Sequence, residues 1–304
     1  MDTVGLAALI APHEPSEFFS SAWPKRPFAV HGLTHSISQI TGLPLLQSLD
    51  SLLNSWPWLV QAHLPDAADE CSSVDATPRD ARKLFANGMA LLFNDVQTVS
   101  PELAGWVAAL KRDLGLAAST HARCMVYATP IGQGNAAHFD QNVNFVLQLR
   151  GTKTWWLAPN GDVENPTQRH AQGQPLDPEL ASYVRSEEPL AMPEERSEVV
   201  LEPGSMLFVP RGFWHRTEAA GEALALNFTF SQPTWVDLLT IALRSRLLLS
   251  PEWRELADGV SSAEPATRVR AQRAFDALLR DLVDDLPHWR AVDILGATEV
   301  TSVR

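Results

Sequence analysis

Cysteine is scarce in this chain, basic charge is in deficit, and long apolar runs are missing. Two cysteines in 304 residues, Cys71 and Cys124, make neither a disulfide framework nor a thiolate metal cluster. Such usage suits a reducing cytoplasm. No apolar stretch approaches the roughly 20 residues that span a bilayer. The N-terminal MDTVGLAALIAP has no basic segment ahead of its apolar residues, so it reads as a helix rather than a secretory leader. The net charge of −12 argues against a protein that coats phosphate backbones, because such proteins carry a basic footprint. Neither nucleic acid nor membrane is an expected partner, whereas a basic peptide or protein suits the acidic surface. Tyrosine is rare too, at two residues against ten tryptophans. Large aromatics fill cores and line clefts alike, so that imbalance assigns no function.

What is present is an ordinary globular composition, 45% hydrophobic and 20% charged. The length suits one large domain with an appendage or two modest domains. A short helix near the N-terminus and a second from Ser16 to Trp23 are expected, followed by the strand-like Pro27-Phe28-Ala29-Val30. The leucine-rich stretch from Ser38 to Ser55 reads as helix broken at Gly42 and Pro44, and Trp58 to Leu64 as a strand. The polar stretch from Pro65 to Pro78 reads as a surface loop. An amphipathic helix is expected from Pro101 to Leu114, with Ser100 as its cap and proline at its first position. Residues 121–129 read as a strand. The polar residues 160–195 are too many for a hairpin loop and read as an insertion over one face, where a substrate could be gripped. Short strands then recur with Pro and Gly turns between them up to Phe230, a rhythm that points to a sandwich or barrel. From Gln232 the pattern turns helical, with helices expected from Trp235 to Leu249, Pro251 to Asp258 and Pro265 to Leu286. The expected division is therefore a β-rich catalytic domain over residues 1–231 and a helical region over 232–304.

The chemistry concentrates in NAAHFDQNVNFVLQLRGTKTWWLAP, residues 135–159. Val143, Phe145, Leu147 and Leu149 alternate with Asn142, Asn144, Gln148 and Arg150, the period of a half-buried strand. On a strand, residues i and i+2 share a face, so His138 and Asp140 are expected to project together, with Asn142 and Asn144 on the same side. One imidazole beside one carboxylate is two thirds of a facial triad for non-haem iron(II). His215 is the candidate third ligand. It follows a Pro-Gly turn, the apolar run Met206-Leu207-Phe208-Val209 and a Pro-x-Gly turn, which put it early in a strand. In a closed barrel that strand can lie beside the one carrying His138.

These residues resemble the JmjC-type cupin oxygenases, most of all the branch of the ribosomal oxygenases and their bacterial relatives. The resemblance rests on His138-x-Asp140, Asn144, Gln148-Leu149-x-Gly151-x-Lys153, Pro203-Gly204-x-Met206-Leu207-Phe208-Val209-Pro210 and Trp214-His215. Trp23-Pro24-Lys25-Arg26-Pro27-Phe28 and Asn94-Asp95-Val96-Gln97 are similar as well, so the likeness covers roughly residues 14–250. It implies a mainly β double-stranded β-helix with flanking helices, with iron(II) held by His138, Asp140 and His215. It further implies 2-oxoglutarate as co-substrate, O2 as oxidant and hydroxylation of an amino-acid side chain in a peptide or protein.

Lys153 occupies the place where the family pairs a basic residue with the far carboxylate of 2-oxoglutarate. The residues agree, because a lysine sharing a strand face with Trp155 and Leu157 needs an anionic partner; the alternative is a lysine that snorkels to solvent. Asn144 is expected to hydrogen-bond the co-substrate or steady a ligand. Tyr127 and Asn135 fall near the cleft by strand order, with Asn227 and Thr229 on a later strand. In the family such positions carry co-substrate contacts, and ordinary structural hydrogen bonding is the competing role. Trp155 and Trp156 are expected on opposite faces, Trp214 as packing behind His215, and the remaining histidines as surface or satisfied residues.

Two other readings compete with this one. One is an oxygenase that tailors a small molecule or a ribosomally made peptide. The other is a cupin that binds a ligand without turnover, which would usually show a substituted ligand. Related oxygenases dimerise through a helical region after the barrel. Leu238, Leu239, Ile241, Leu243, Leu247 and Leu248 exceed what one helix face buries, so a homodimer is expected. Residues 232–304 are too few to hold both that region and a full winged-helix module.

Overall fold

The alternation of Val143 to Arg150 does not make a half-buried strand: every residue from Val143 to Leu149 is buried. The reason is that this strand lies mid-sheet, with apolar material on both faces. The structure, a computed structural model, describes residues 4–64, 72–186 and 188–301, the last five by backbone alone. Cys71 and the acidic residues Asp66, Asp69 and Glu70 lie outside the described residues.

Thirteen strands are present among the described residues. They are β1 Phe28–Val30, β2 Val60–His63, β3 Ser73–Ala76, β4 Ala90–Phe93, β5 His121–Thr129, β6 His138–Phe139 and β7 Val143–Arg150. After them come β8 Lys153–Ala158, β9 His170–Ala171, β10 Ser197–Leu201, β11 Met206–Val209, β12 Trp214–Ala219 and β13 Ala223–Ser231. Eight form one sheet in the order β1-β11-β7-β13-β5-β4-β2-β3, and five form another in the order β10-β8-β12-β6-β9. All pairings are antiparallel. The chain passes repeatedly between the two sheets, and this is the expected double-stranded β-helix.

The odd residues of β7 face outward. Phe145 meets Phe208 of β11 and Phe18 of the helix Pro15–Ser21, with ring centroids 4.9 and 6.0 Å away. The helix Pro101–Asp113 covers the same side and sets Trp106 against Phe228 of β13. It begins where Ser100 Oγ accepts from the Leu103 amide at 3.3 Å, a cap worth about 1 kcal/mol. The even residues point between the sheets, where Val146 packs with Trp155, Leu157, Leu207 and Val209. Burying each such side chain contributes roughly 1.5–3 kcal/mol. Gly151 turns β7 into β8 at φ +66°, and a β-carbon there would meet Glu222 O at 2.1 Å. Only glycine suits that turn.

Several expectations require correction. His138 and Val143 do not share a strand: β6 and β7 belong to different sheets, and residues 140–142 carry the chain across. Ser73–Ala76, expected as loop, is an edge strand on β2. The stretch from Pro251 to Asp258 holds a single tight turn, Glu252–Arg254, because Glu255 is already extended and so short a helix does not recover its nucleation cost. A further helix, Ala291–Thr301, was not anticipated.

The chain divides into two compact units, Met1–Leu116 with His121–Ser231, and Ala117–Thr120 with Gln232–Arg304. The second contains the helix Trp235–Leu247, started by a reciprocal cap between Thr234 and Asp237. It also contains the helix Pro265–Asp285, none of whose residues is buried. Arg246 and Asp285 pair within it, and Trp289 Nε1 donates to the same carboxylate at 2.7 Å. No helix of the described residues is long and apolar enough to cross a membrane.

Candidate metal centre and cofactor cavity

Strand pairing brings the two histidines together. In the β12–β6 register His215 lies directly opposite His138, and the ring centroids are 4.0 Å apart. Asp140 follows β6 and turns its carboxylate toward both, with Oδ1 4.0 Å from His138 Nε2 and Oδ2 3.8 Å from His215 Nε2. One donor atom from each residue lies within 4.8 Å of the others, the only such cluster among the described residues.

The backbone fixes which nitrogen each ring presents. His138 Nδ1 donates to Ala136 O at 2.8 Å, and His215 Nδ1 donates to Phe213 O at 2.9 Å. A carbonyl can only accept, so both Nδ1 atoms carry the proton and both Nε2 lone pairs face Asp140. Burial holds both imidazoles well below the usual histidine range, aided by Arg169 beside His138 and by His138 beside His215. Asp140 is also held below its ordinary value: burial opposes this, but His138, His215, Arg169 and the Asn144 amide outweigh it. Two neutral imidazoles and one ionised carboxylate are the donor set a divalent iron site requires.

The carboxylate is held by a relay. Asn144 Nδ2 donates to Asp140 Oδ2 at 2.9 Å, while Asn144 Oδ1 accepts from Thr229 Oγ1 at 2.8 Å and from Asn227 Nδ2 at 3.2 Å. Asn144 thus steadies Asp140 although it sits on β7, in the other sheet. Asn142, by contrast, accepts from Ser231 Oγ at 2.6 Å and lines an adjoining cleft.

His138, Asp140 and His215 open onto a cavity lined by Tyr127, Asn135, Asn144, Lys153 and Asn227, with Val146, Trp155, Val209 and Ala225 as apolar wall. Thr229 stands one step away, on an adjoining cleft. Lys153 is 3% exposed and donates to Thr129 Oγ1 at 3.0 Å; no carboxylate pairs with it among the described residues. It does not snorkel to solvent. Burial alone pushes its pKa down to about 8. Trp155 stacks over the His215 ring at 5.7 Å, and Trp156 points away, under Arg216 and bonded to Glu198. Trp214 packs edge-on to Phe139 at 4.9 Å, bracing β12 and β6 together.

Two further residues escaped the sequence reading. Arg169 Nε lies 3.3 Å from Asp140 Oδ1, because β9 pairs with β6 and the next step of that register sets residue 169 opposite 140. A two-residue strand carries no periodicity by which to find it. Its neighbour His170 is buried against Phe139 and Trp214. The other residue is Arg123, on the cleft-facing side of β5.

Residues 109–238 match a profile described as JmjC domain. The protein YxbC of Bacillus subtilis, described as uncharacterized, is 32% identical over 286 residues, covering 92% of this chain and 87% of that one. The chain belongs to the JmjC-type cupin oxygenases. Ribosomal oxygenase 1 of Rattus norvegicus is 29% identical over 95% of this JmjC chain, which spans 49% of that relative's length. Among solved structures, E. coli YcfD matches 92% of the chain and 69% of its own with a TM-score of 0.52 at 18% identity. A second YcfD structure, described as a ribosomal oxygenase in complex with cobalt and succinic acid, matches at a TM-score of 0.50. The JmjC fold read from the motifs is thus the fold observed.

Proposed function

We propose that this protein is an iron(II)- and 2-oxoglutarate-dependent oxygenase that hydroxylates an amino-acid side chain in a peptide or protein. The observation that carries the reading is the joint opening of three ligands and one buried, carboxylate-free lysine onto a single cavity. The names of the relatives, ribosomal oxygenases and a cobalt–succinate complex, support the same chemistry.

His138 Nε2, His215 Nε2 and one oxygen of Asp140 hold the metal, and Asn144 keeps Asp140 turned toward it. Iron(II) with 2-oxoglutarate supplies the oxidising chemistry: O2 is reduced, the co-acid becomes succinate and carbon dioxide, and one oxygen atom enters a substrate C–H bond. Lys153 receives the far carboxylate, which ends the cost of an unpaired buried ammonium. Tyr127, Asn135 and Asn227 supply polar contacts around the bound co-acid. Val146, Val209, Ala225 and Trp155 keep water from that end of the site. Thr229 acts through Asn144.

Residues 1–231 form the catalytic domain in this reading, and residues 232–304 the dimerising region of a cytoplasmic enzyme. Exposed apolar side chains in that region, among them Trp235, Val236, Leu249, Phe275 and Val283, support a homodimer. A monomer mass by light scattering would remove the dimer. The hydroxylase reading is tested by incubating cell extract with the iron-loaded protein or its His138→Ala variant. Mass spectrometry should find a peptide heavier by one oxygen only with the former; identical extracts contradict the reading.

A further inference from the structure

A cleft of about 810 Å³ reaches His138 and Asp140, and neither Lys153 nor His215 lines it. Its size exceeds what a single small acid fills. Its walls are rich in carboxamides, including Gln61, Asn94, Gln133, Gln141 and Asn142. Gln141 Oε1 and Asn227 Oδ1 are buried carbonyl oxygens without a hydrogen-bond partner, and both residues line it. A peptide backbone supplies the N–H donors such acceptors lack.

Among the described residues, the charges in this cleft run against the charge of the whole protein. Among the described residues its formally charged side chains are Arg123, Arg169, Asp95 and the ligand Asp140. Iron(II) and Lys153 together balance Asp140 and a doubly charged co-acid, which leaves two guanidinium groups against Asp95. Asp95 already accepts from Gln97 Nε2 at 3.2 Å. Arg169 is engaged with Asp140. Arg123 is half-buried and has neither a carboxylate nor a hydrogen-bond acceptor among the described residues. It shares the inner face of β5 with Met125, Tyr127 and Thr129, the last of which holds Lys153. At the strand rise, Arg123 therefore lies about 20 Å from Thr129 along β5. It is also the cross-strand partner of Thr229, two hydrogen bonds from the Asp140 carboxylate. A half-buried guanidinium needs an anion, and this one lines the same cleft as His138 and Asp140.

We propose that the cleft selects a peptide segment bearing a carboxylate side chain, which Arg123 binds beside the residue that is oxidised. This rests on the oxygenase reading and narrows it, since the overall acidity of the chain had pointed toward a basic substrate. An Arg–carboxylate contact of this kind is worth roughly tenfold or more in affinity.

The test uses the full chain loaded with manganese(II) and 2-oxoglutarate under argon. The probes are three fluorescein-labelled degenerate nine-residue peptide pools, alike except for two fixed positions that are acidic, basic or neutral. Anisotropy should show the acidic pool bound roughly tenfold tighter than the basic one. Arg123→Gln should collapse that difference, Arg123→Glu should reverse it, and Arg79→Gln, at an exposed position of the helix Pro78–Ala86, should leave it intact. Unchanged 2-oxoglutarate binding by the Arg123 variants shows that they are folded. Equal or tighter binding of the basic pool, binding of no pool, or an Arg123→Gln protein that keeps the acidic preference overturns the proposal. Succinate formation is read separately. Acidic preference without succinate defeats the oxygenase reading alone, and succinate without acidic preference defeats this inference alone.

Discussion

Replacing Lys153 with methionine should stabilise the empty protein while destroying its co-substrate site. In the folded chain burial holds the lysine pKa at about 8 against an ordinary 10.5. At about 1.4 kcal/mol per unit, the buried ammonium costs on the order of 3 kcal/mol at neutral pH. Methionine removes that cost and forfeits the Thr129 hydrogen bond, worth about 1 kcal/mol, for a net gain near 2 kcal/mol. The pH dependence gives a second check. Because the folded pKa is the lower one, the unfolded chain binds more protons between about pH 8 and 10.5. Wild-type stability should therefore climb across that window relative to Lys153→Met, with the penalty complete below it and gone above it. Urea denaturation followed by tryptophan fluorescence, with a chelator and without 2-oxoglutarate, measures both effects. Adding 2-oxoglutarate and manganese(II) should then stabilise the wild type far more than the variant. A Lys153→Met protein less stable than wild type at pH 7, with an unchanged pH profile, would refute the reasoning.

Further expectations concern the ligands. His138→Ala and Asp140→Ala should each abolish stoichiometric manganese(II) binding by calorimetry, and full binding by both would overturn the triad. Asn144→Ala should fold, because Asn144 serves Asp140 rather than the core, but should bind the metal roughly 10–100-fold more weakly. The metal-free protein should lose stability as pH falls from about 6.5 toward 4. The unfolded chain then takes up protons that buried His138 and His215 resist. Denaturation midpoints at pH 7, 6 and 5 check this, and midpoints that stay level would contradict the neutral, buried imidazoles.

His138, Asp140 and His215 were legible as a candidate set because metal chemistry restricts residue type, and the structure brings one donor atom of each within 4.8 Å of the others. Lys153 was legible for a related reason: a cation among Trp155 and Leu157 has few stable explanations. The strand boundary between Phe139 and Val143 was not legible. Asn142 and Asn144 continue the polar phase of the alternation, and nothing local reports that the chain changes sheets there. Full burial of β7 was hidden for the same reason, since period two cannot distinguish solvent from a second apolar layer whose polar members bond internally, Asn144 to Thr229 and Gln148 through Nε2 to Arg150 O. Arg169 depends on the pairing of β9 with β6, a long-range register that no neighbouring residue encodes. The helix expected from Pro265 to Leu286 is present as Pro265–Asp285, with Phe275, Leu279 and Val283 exposed in the single chain.

The most direct test of the central claim is the conversion of 2-oxoglutarate to succinate by the iron(II)-loaded protein, supplied with candidate peptides and O2. The account predicts succinate from the wild type, none from His138→Ala or Asp140→Ala, and a sharply raised requirement for 2-oxoglutarate in Lys153→Met. Well-folded, iron-loaded wild type that yields no succinate, or a His138→Ala protein that yields as much as wild type, would contradict it.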